Sequence, residues 1–204
     1  MCLLRQTGEK DGLLGTCILM RLKIPAGAGL IIQKLREHGF EAYVVGGCVR
    51  DQILGRVPGD WDITTSASPF EVKQIFQRTV DTGLQHGTVT VLIGSRGFEV
   101  TTYRIDGVYE DGRHPREVAF TRNLKEDLRR RDFTINAMAY NDEEGLVDLF
   151  GGMADLSRRV VRCVGEPEER FGEDALRIMR AVRFAAQLDF VIDGPTREAL
   201  ERLV

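Results

Sequence analysis

A short strand-like run that stops on two glycines most restricts what this chain can fold into. Residues 41–45 carry aromatic and β-branched side chains, which favour a strand. Gly46 and Gly47 end that strand, and residues 48–54 have the pattern of a short helix closed by Gly55. The sequence therefore predicts a strand, a glycine turn and a helix in immediate succession, with backbone free of side chains at the turn.

Strand-like and helical patterns alternate from residue 20 onward, which predicts an α/β or α+β domain. Further strands are expected at residues 60–64, 88–93, 98–105 and 146–148, with a hairpin turn at 94–97. Helices are expected at residues 29–38, 70–77, 124–140, 173–188 and 195–203. The polar stretch 106–120 predicts a loop of the functional kind.

Composition excludes several classes of protein. The 204 residues, of which 43% are hydrophobic, can bury one large core or two small ones. A formal net charge of −3 excludes nucleic-acid binding by bulk positive field alone, so any nucleotide contact must be local. Apolar runs fall far short of the ~18–20 residues that cross a bilayer, so no membrane contact is expected. The four cysteines form no CxxC pair, which predicts reduced thiols in a cytoplasm.

The two ends of the chain differ from its alternating centre. Residues 1–19 lack a secretory pattern and are expected to add little to the fold. Gly151 and Gly152 mark a break, after which the pattern becomes helical. We therefore divide the chain into an extension at 1–19, a domain at 20–150 and the start of a helical region at 151–204.

Two aspartates follow the glycine turn at close spacing. On a strand, residues i and i+2 share a face, so Asp60 and Asp62 present two carboxylates side by side. Magnesium prefers hard oxygen ligands from one or two carboxylates and leaves other positions for phosphate oxygens and water. The pair therefore predicts a magnesium site, although two such aspartates alone also fit a solvated strand edge.

The glycine turn itself predicts a phosphate contact. Without side chains at Gly46 and Gly47, backbone N–H groups can approach a triphosphate where the helix begins. Arg50, one turn into that helix, can add a charge-assisted hydrogen bond to the same phosphates. Either feature is weak alone, and the spacing to the two aspartates is what favours a shared site.

Glu99 is a candidate third carboxylate. It alternates with Phe98 and Val100 and so faces one side of a later strand. The same pattern fits an ordinary exposed strand glutamate, and both interpretations stay open.

Three adjacent arginines precede Asp132. Such a run often marks a solvated helix end, but Arg131 and Asp132 also predict a phosphate clamp and an acceptor for a sugar hydroxyl. These two residues are the candidates next to the predicted metal site.

The helical pattern near the end of the chain predicts a base-reading pair. Its apolar face is expected at Ala175, Ile178, Met179, Val182 and Ala186, with Arg177, Arg180 and Arg183 on the opposite face. Such a row of arginines is often only the solvent-exposed face of an amphipathic helix. Asp174 lies one turn before Arg177, and a carboxylate beside a guanidinium complements a base edge that offers an amino donor next to a ring-nitrogen acceptor. Cytosine and adenine present that edge, whereas uracil and guanine do not.

In order, these residues form a recognisable set. The segments GGCVRD, DWDITT, HGTVTV, EVTTYR, RRDFTINAMA and RFGEDALRIMRAVRFAAQLDF resemble the head and neck of the class II tRNA nucleotidyltransferases, the CCA-adding enzymes and their bacterial poly(A) polymerase relatives. The resemblance covers residues 40–190 and implies an α+β, polymerase β-like nucleotidyltransferase head. A helical neck that carries the nucleotide-selecting helix would follow.

The resemblance also implies a chemistry. Asp60 and Asp62 match the family's magnesium ligands, Gly47 and Arg50 its triphosphate contacts, and Arg131 with Asp132 its sugar and phosphate motif. Asp174 and Arg177 match the base-reading pair, which makes Arg180 and Arg183 further nucleotide contacts. The implied reaction adds C and A from CTP and ATP to the 3′ end of tRNA by in-line attack of the 3′ hydroxyl on the α-phosphate with two metals. An A-adding enzyme, a poly(A) polymerase and an inactive nucleotide-binding fragment remain alternatives.

The chain departs from the family's pattern in two respects. The family usually has glycine where Asp189 ends the long helix, and we expect the aspartate to adopt a left-handed conformation there. The body and tail that grip tRNA in the family are expected beyond residue 204.

Overall fold

A computed structural model describes residues 21–107 and 118–203, and its architecture is the expected α+β class. The strands are β1 (Ala42–Val45), β2 (Ile63–Thr65), β3 (Thr79–Gly83), β4 (Thr88–Ile93), β5 (Arg96–Thr102), β6 (Arg104–Asp106), β7 (Val118–Phe120), β8 (Met138–Asn141), β9 (Gly145–Asp148), β10 (Val160–Val161) and β11 (Val191–Ile192). The helices are α1 (Ala26–Glu37), α2 (Gly47–Ile53), α3 (Pro69–Ile75), α4 (Leu124–Arg129), α5 (Gly152–Arg158), α6 (Pro167–Glu173), α7 (Leu176–Leu188) and α8 (Gly194–Leu203). None of the helices in these ranges is long and apolar enough to cross a membrane.

One seven-stranded sheet forms the framework, in the order β3-β4-β5-β2-β1-β8-β9. Its neighbours run antiparallel except for β2 and β5, which are parallel. Helix α1 packs Ala28, Ile31, Ile32 and Leu35 into the main core, as expected from its apolar spacing. Every residue of β1 is buried because this strand lies inside the sheet with both faces covered.

Hydrogen bonds beyond the end of β1 bring three distant segments together. The Val45 N–H donates to the Asp62 carbonyl at 3.0 Å, and the Gly46 N–H donates to the Met138 carbonyl at 3.2 Å. The glycine turn, the aspartate pair and the start of β8 therefore meet at the C-terminal end of β1.

The expected helix at residues 124–140 is wrong over most of its length. Helix α4 ends at Arg129, a single 3-10 turn covers Thr134–Asn136, and Met138–Asn141 form strand β8. All four residues of β8 are buried between β1 and β9. Tertiary pairing with the central strand has overridden the local helical pattern.

The expected helix at residues 173–188 is confirmed over Leu176–Leu188, but it begins later than expected because the chain leaves the helical conformation at Asp174. That residue has φ −141° and ψ 103°, and its Oδ1 accepts the Leu176 N–H at 2.9 Å. A carboxylate that accepts an N–H group at the start of a helix competes with continuation of the preceding helix. Asp174 therefore separates α6 from α7.

The predicted apolar face of α7 is wrong as well. The buried residues are Arg177, Ala181, Phe184 and Leu188, while Met179 is 68% exposed and Val182 is 49% exposed. Burial of Arg177 is possible because its guanidinium donates to protein oxygens on three sides, as described below.

Other expectations hold in part. Asp189 ends α7 with φ +57°, as expected. The strand expected at 60–64 begins only at Ile63, and the one at 98–105 divides into β5 and β6. The ends of the expected loop at 106–120 belong to the paired strands β6 and β7, and residues 108–117 lie outside the described ranges, as do residues 1–20.

Candidate active site

A cleft of about 830 Å³ lies between the edge of the central strands and α7. It gathers eleven of the twelve site residues predicted from the sequence: Gly46, Gly47, Arg50, Asp60, Asp62, Arg131, Asp132, Asp174, Arg177, Arg180 and Arg183. Residues separated by more than a hundred positions in the chain thus line one cleft.

The two aspartates face the cleft just before β2 begins. Trp61 and Ile63 are buried, whereas the alternating residues Asp60 and Asp62 are exposed and line the cleft. The alternation that predicted a shared face is therefore present, although regular strand pairing starts one residue after Asp62.

Asp62 lies where a negative charge is unfavourable. Its carboxylate opens onto the cleft, yet the surrounding protein partly removes it from bulk water. This burial raises the pKa of Asp62, the neighbouring Asp60 charge raises it further, and Arg131 opposes both effects. A cation next to the pair would relieve this cost.

The donor set fits magnesium held jointly with phosphate. Within residues 21–107 and 118–203, no group of three or more His, Cys, Asp or Glu side chains is arranged to hold a metal ion. Asp60 and Asp62 supply two carboxylates at an open cleft, and magnesium commonly takes one or two protein carboxylates together with substrate phosphates and water. The residues therefore suit a metal that binds with its nucleotide.

Glu99 does not line the cleft. It is exposed on β5, opposite Thr90 of β4. Its role as a third metal carboxylate stays a prediction.

Gly46 must be glycine for two reasons. Its φ of +82° lies in the region that residues with a Cβ rarely adopt, and an added Cβ would lie 3.1 Å from Nη1 of Arg131. At Gly47 the corresponding position would be 3.6 Å from Nη2 of Arg50, an ordinary contact. The first glycine thus leaves room for an arginine that faces the cleft.

Arg50 is held almost completely within the protein. It is 8% exposed, and it donates from Nε to Asp51 at 2.9 Å and from Nη1 to Asn136 at 2.7 Å. Its position at the cleft wall is therefore fixed before any ligand arrives.

Arg131 is less completely bound. Its Nη2 donates to Oδ2 of Asp127 at 3.4 Å, and its buried Nε has no hydrogen-bond partner among the described residues. A buried donor without a partner carries a free-energy cost that an anionic ligand would remove. Arg131 is thus the cleft arginine best prepared to accept phosphate.

Asp132 joins the segment after α4 to α7. Its Oδ1 accepts the Phe133 N–H at 2.8 Å and the Asn136 amide at 3.2 Å. Its Oδ2 accepts a hydrogen bond from Nε of Arg180 at 2.6 Å and also lies 2.6 Å from Nη2 of the same guanidinium. The predicted sugar-hydroxyl acceptor therefore already holds a guanidinium.

The two residues predicted to read the base both line the cleft, and the Arg177 backbone N–H donates to the Asp174 carbonyl at 3.0 Å. Arg177 is 6% exposed and donates to Glu173 at 2.6 Å, to the Arg170 carbonyl at 3.1 Å and to the Arg130 carbonyl at 3.2 Å. The carboxylate of Asp174 accepts the Leu176 N–H, as noted above. Each side chain is thus oriented by its own neighbours.

Three arginines contact the aromatic ring of Phe184 on α7. The guanidinium carbons of Arg50, Arg180 and Arg183 lie 5.0, 5.3 and 5.1 Å from its ring centroid. Cation–π attraction favours this arrangement and groups positive charge on one side of the cleft.

Comparison with known proteins places this site in a family. Residues 42–162 match the family model described as the poly A polymerase head domain, which is more than half of the chain. The chain belongs to the poly(A) polymerase head-domain family. The match contains the glycine turn, both aspartates, Arg131 and Asp132, and so covers the sheet side of the cleft.

The similarity to relatives covers more of the chain than the family model does. The chain is 56% identical over 170 residues to the CCA-adding enzyme of Lactobacillus delbrueckii subsp. bulgaricus, covering 83% of this chain and 43% of the relative. It is 58% identical over 170 residues to the CCA-adding enzyme of Streptococcus suis, covering 83% of this chain and 42% of that relative. The chain therefore spans less than half the length of the curated relatives it matches.

Solved structures agree with the fold of this family member. The crystal structure of the Bacillus stearothermophilus CCA-adding enzyme in complex with CTP is similar at a TM-score of 0.78 and 50% identity, covering 84% of this chain and 41% of that one. The Thermotoga maritima CCA-adding enzyme complexed with tRNA-CCA is similar at a TM-score of 0.67 and 32% identity, covering 85% and 40%.

Sequence reasoning missed several residues that line the cleft of this head domain. They are His86, Arg104, Asp106, Arg130, Asn136, Leu176 and Phe184. Arg130 and Asn136 lie in the RRDFTINAMA run and could have been noticed as polar residues in an apolar segment. Phe184 was not among the residues of the predicted apolar face, and its contact with Arg50 depends on the tertiary fold.

Proposed function

We propose that this chain carries the nucleotide-binding and catalytic part of a nucleotidyltransferase that adds C and A to the 3′ end of tRNA without a template. The observation that supports this most is the single cleft that holds a carboxylate pair, three arginines around Phe184 and the Asp174 and Arg177 side chains. The relatives and structural neighbours named above are CCA-adding enzymes, including complexes with CTP and with tRNA.

Asp60 and Asp62 would hold magnesium in this proposal. The bound metal would supply charge stabilisation at the reacting phosphate and activation of the primer's 3′ hydroxyl. Arg50 and Arg131 bind the negative charge of the triphosphate, and the absence of a side chain at Gly46 lets the backbone approach it. The protein supplies no nucleophile, because the attacking oxygen belongs to the RNA.

Base selection in this proposal rests on Asp174 and Arg177. A carboxylate acceptor and a guanidinium donor match the amino and ring-nitrogen groups of cytosine and adenine. Both side chains have hydrogen-bond partners within the protein, so we expect nucleotide binding to exchange some of these contacts for contacts with the base. Uridine and guanosine triphosphates would leave these polar groups mismatched.

A cytoplasmic location accords with the cysteines. Cys48 and Cys163 are free and buried, and burial raises the pKa of their thiols to about 11 and about 12. Such thiols are unreactive at neutral pH.

Incubation with tRNA that lacks its CCA end, magnesium and labelled CTP or ATP tests the proposed function. We expect incorporation of C followed by A, and no incorporation of UTP or GTP. Incorporation of ATP alone would indicate an A-adding enzyme, and long A tails would indicate poly(A) synthesis. Nucleotide binding without any transfer would contradict catalysis by this chain.

A further inference from the structure

Asp127 is a buried carboxylate behind the cleft wall that sequence reasoning did not single out. It is 0% exposed and is not among the cleft-lining residues. An ionised side chain so far from water requires charged and hydrogen-bonding partners. Burial disfavours its charge, but Arg130 and Arg131 prevail and hold the pKa of Asp127 below its usual value.

Two contacts fix the carboxylate relative to the sheet. Oδ2 accepts the Thr64 hydroxyl at 3.0 Å, and Oδ1 accepts the Arg104 backbone N–H at 3.3 Å. Thr64 belongs to β2, directly after the aspartate pair, and Arg104 begins β6. Asp127 therefore has a defined position relative to the strand that carries Asp60 and Asp62.

The two arginines use this carboxylate differently. Arg130 donates twice to Oδ1, at 3.0 and 2.8 Å, and also lies 3.9 Å from Asp106. Arg131 makes one longer contact of 3.4 Å to Oδ2. The guanidinium of Arg130 is therefore fixed by several contacts with carboxylates. That of Arg131 has a single hydrogen bond to Asp127, through Nη2.

The other side of Arg131 faces the reaction site. Its Nη1 lies next to the Gly46 backbone, and Arg131 lines the same cleft as Asp62. Arg131 therefore spans the distance between a buried anchor and the glycine turn. Loss of the anchor would remove the hydrogen bond that restricts the orientation of its guanidinium.

We propose that Asp127 is a positioning residue that holds Arg131 in the orientation needed to bind the nucleotide triphosphate. This inference rests on the proposed function, because it assumes that the cleft binds a nucleotide. Asp127 acts through Arg131 and makes no contact with the ligand itself.

The test compares Asp127→Asn with Asp155→Asn in the 204-residue chain. Asp155 is 2% exposed, is paired with Arg162 at 2.7 Å and does not line the cleft, so it is a matched buried ion pair. Calorimetric titration with CTP and with inorganic tripolyphosphate measures Kd, and thermal unfolding measures the loss of stability in each variant. We expect Asp127→Asn to weaken binding of both ligands about tenfold, and Asp155→Asn to change Kd by less than about twofold at a similar loss of Tm.

A double-mutant cycle separates positioning from a general loss of structure. In an Arg131→Gln background, Asp127→Asn should weaken tripolyphosphate binding no further, because the group through which it acts is absent. Asp127→Glu should recover part of the affinity. Thr64→Val removes one hydrogen bond to Asp127 without changing charge, and a several-fold rise in Kd is expected even if Asp127→Asn does not fold.

The outcomes distinguish this inference from the proposed function. Unchanged Kd in both Asp127→Asn and Thr64→Val, or fully additive losses in the cycle, would overturn the role of Asp127 alone. Failure of the unmodified chain to bind CTP and tripolyphosphate would overturn the proposed function and, with it, this inference.

Discussion

Asp132 and Arg180, which are 48 positions apart, form a hydrogen-bonded ion pair that connects the segment after α4 to α7. Nε and Nη2 of the guanidinium each lie 2.6 Å from Oδ2, while Oδ1 is held by the Phe133 N–H and by Asn136. Because one oxygen of Asp132 is held locally and the other by Arg180 of α7, the pair links two walls of the cleft.

Asp132→Asn should therefore loosen the cleft. An amide retains the size of the side chain but cannot match the charge of Arg180, and we expect binding of CTP and ATP to weaken about tenfold. Titration of each nucleotide measures this effect, with Arg197→Ala on α8 as a control because its ion pair with Glu201 is exposed. Equal affinity in Asp132→Asn would show that the ion pair does not shape the cleft.

Asp60→Ala and Asp62→Ala should each abolish nucleotide transfer while binding is retained. A metal-holding carboxylate contributes several kcal/mol to the transition state, so the rate should fall on the order of a thousandfold or more. Primer extension and nucleotide titration measure the two properties separately. Asp81→Ala is the comparison, since it loses an exposed carboxylate that pairs with Lys73 outside the cleft, and full activity in either aspartate variant would remove the metal assignment.

Asp62→Asn should stabilise the metal-free protein at neutral pH. The raised pKa of Asp62 means that its ionised form is less favourable in the folded than in the unfolded chain. Its contribution to stability is full below the unfolded pKa of ~3.9 and is lost as pH rises through the raised folded pKa. We expect a higher Tm for Asp62→Asn at pH 7 in the presence of a chelator, and no gain at pH values below the unfolded pKa. A lower Tm at pH 7 would contradict the direction of the shift.

Gly46→Ala should cost both stability and affinity. The positive φ and the 3.1 Å approach to Arg131 predict a loss of about 1–2 kcal/mol together with weaker triphosphate binding. Gly29→Ala is the matched control, because no atom lies within 4 Å of its added Cβ and it lies within α1. There we expect a gain of about 0.5–1 kcal/mol, measured by denaturant unfolding. Equal changes in the free energy of unfolding for Gly46→Ala and Gly29→Ala would contradict the predicted strain at Gly46.

Arg177→Ala should weaken discrimination between bases. Without the guanidinium, the cleft no longer opposes a uracil edge, and we expect the preference for CTP over UTP to fall by at least about tenfold. Competition between labelled CTP and UTP in primer extension measures the ratio. Arg197→Ala again serves as the control for loss of a helix arginine. Unchanged rejection of UTP would refute a base-reading role.

The part of the site that depends on local spacing could be predicted from the sequence. The glycine turn and the alternation around Asp60 and Asp62 involve neighbours in the chain, so composition and period were enough to find them. The same local reasoning failed at Met138–Asn141, where pairing with a central strand determines the conformation.

The tertiary part of the site could not be predicted in this way. Asp127 pairs with Arg130 and Arg131 at ordinary helical spacing, but its burial and its contacts with Thr64 and Arg104 depend on distant parts of the chain, as does the contact of Phe184 with Arg50. The apolar face of α7 was misassigned because a periodicity rule treats arginine as a surface residue, whereas Arg177 is buried by its hydrogen bonds.

The fully buried strand β1 gives the two ends of the cleft different mechanical properties. Amide groups at the centre of a sheet open only when much of the domain opens, so hydrogen exchange near Val45 should be among the slowest in the protein. Asp174 instead lies in a break between two helices, where local opening needs far less free energy. The phosphate end of a bound nucleotide would then meet a rigid surface and its base a compliant one. Such a difference would let one site keep a constant reaction geometry while it accepts both a pyrimidine and a purine.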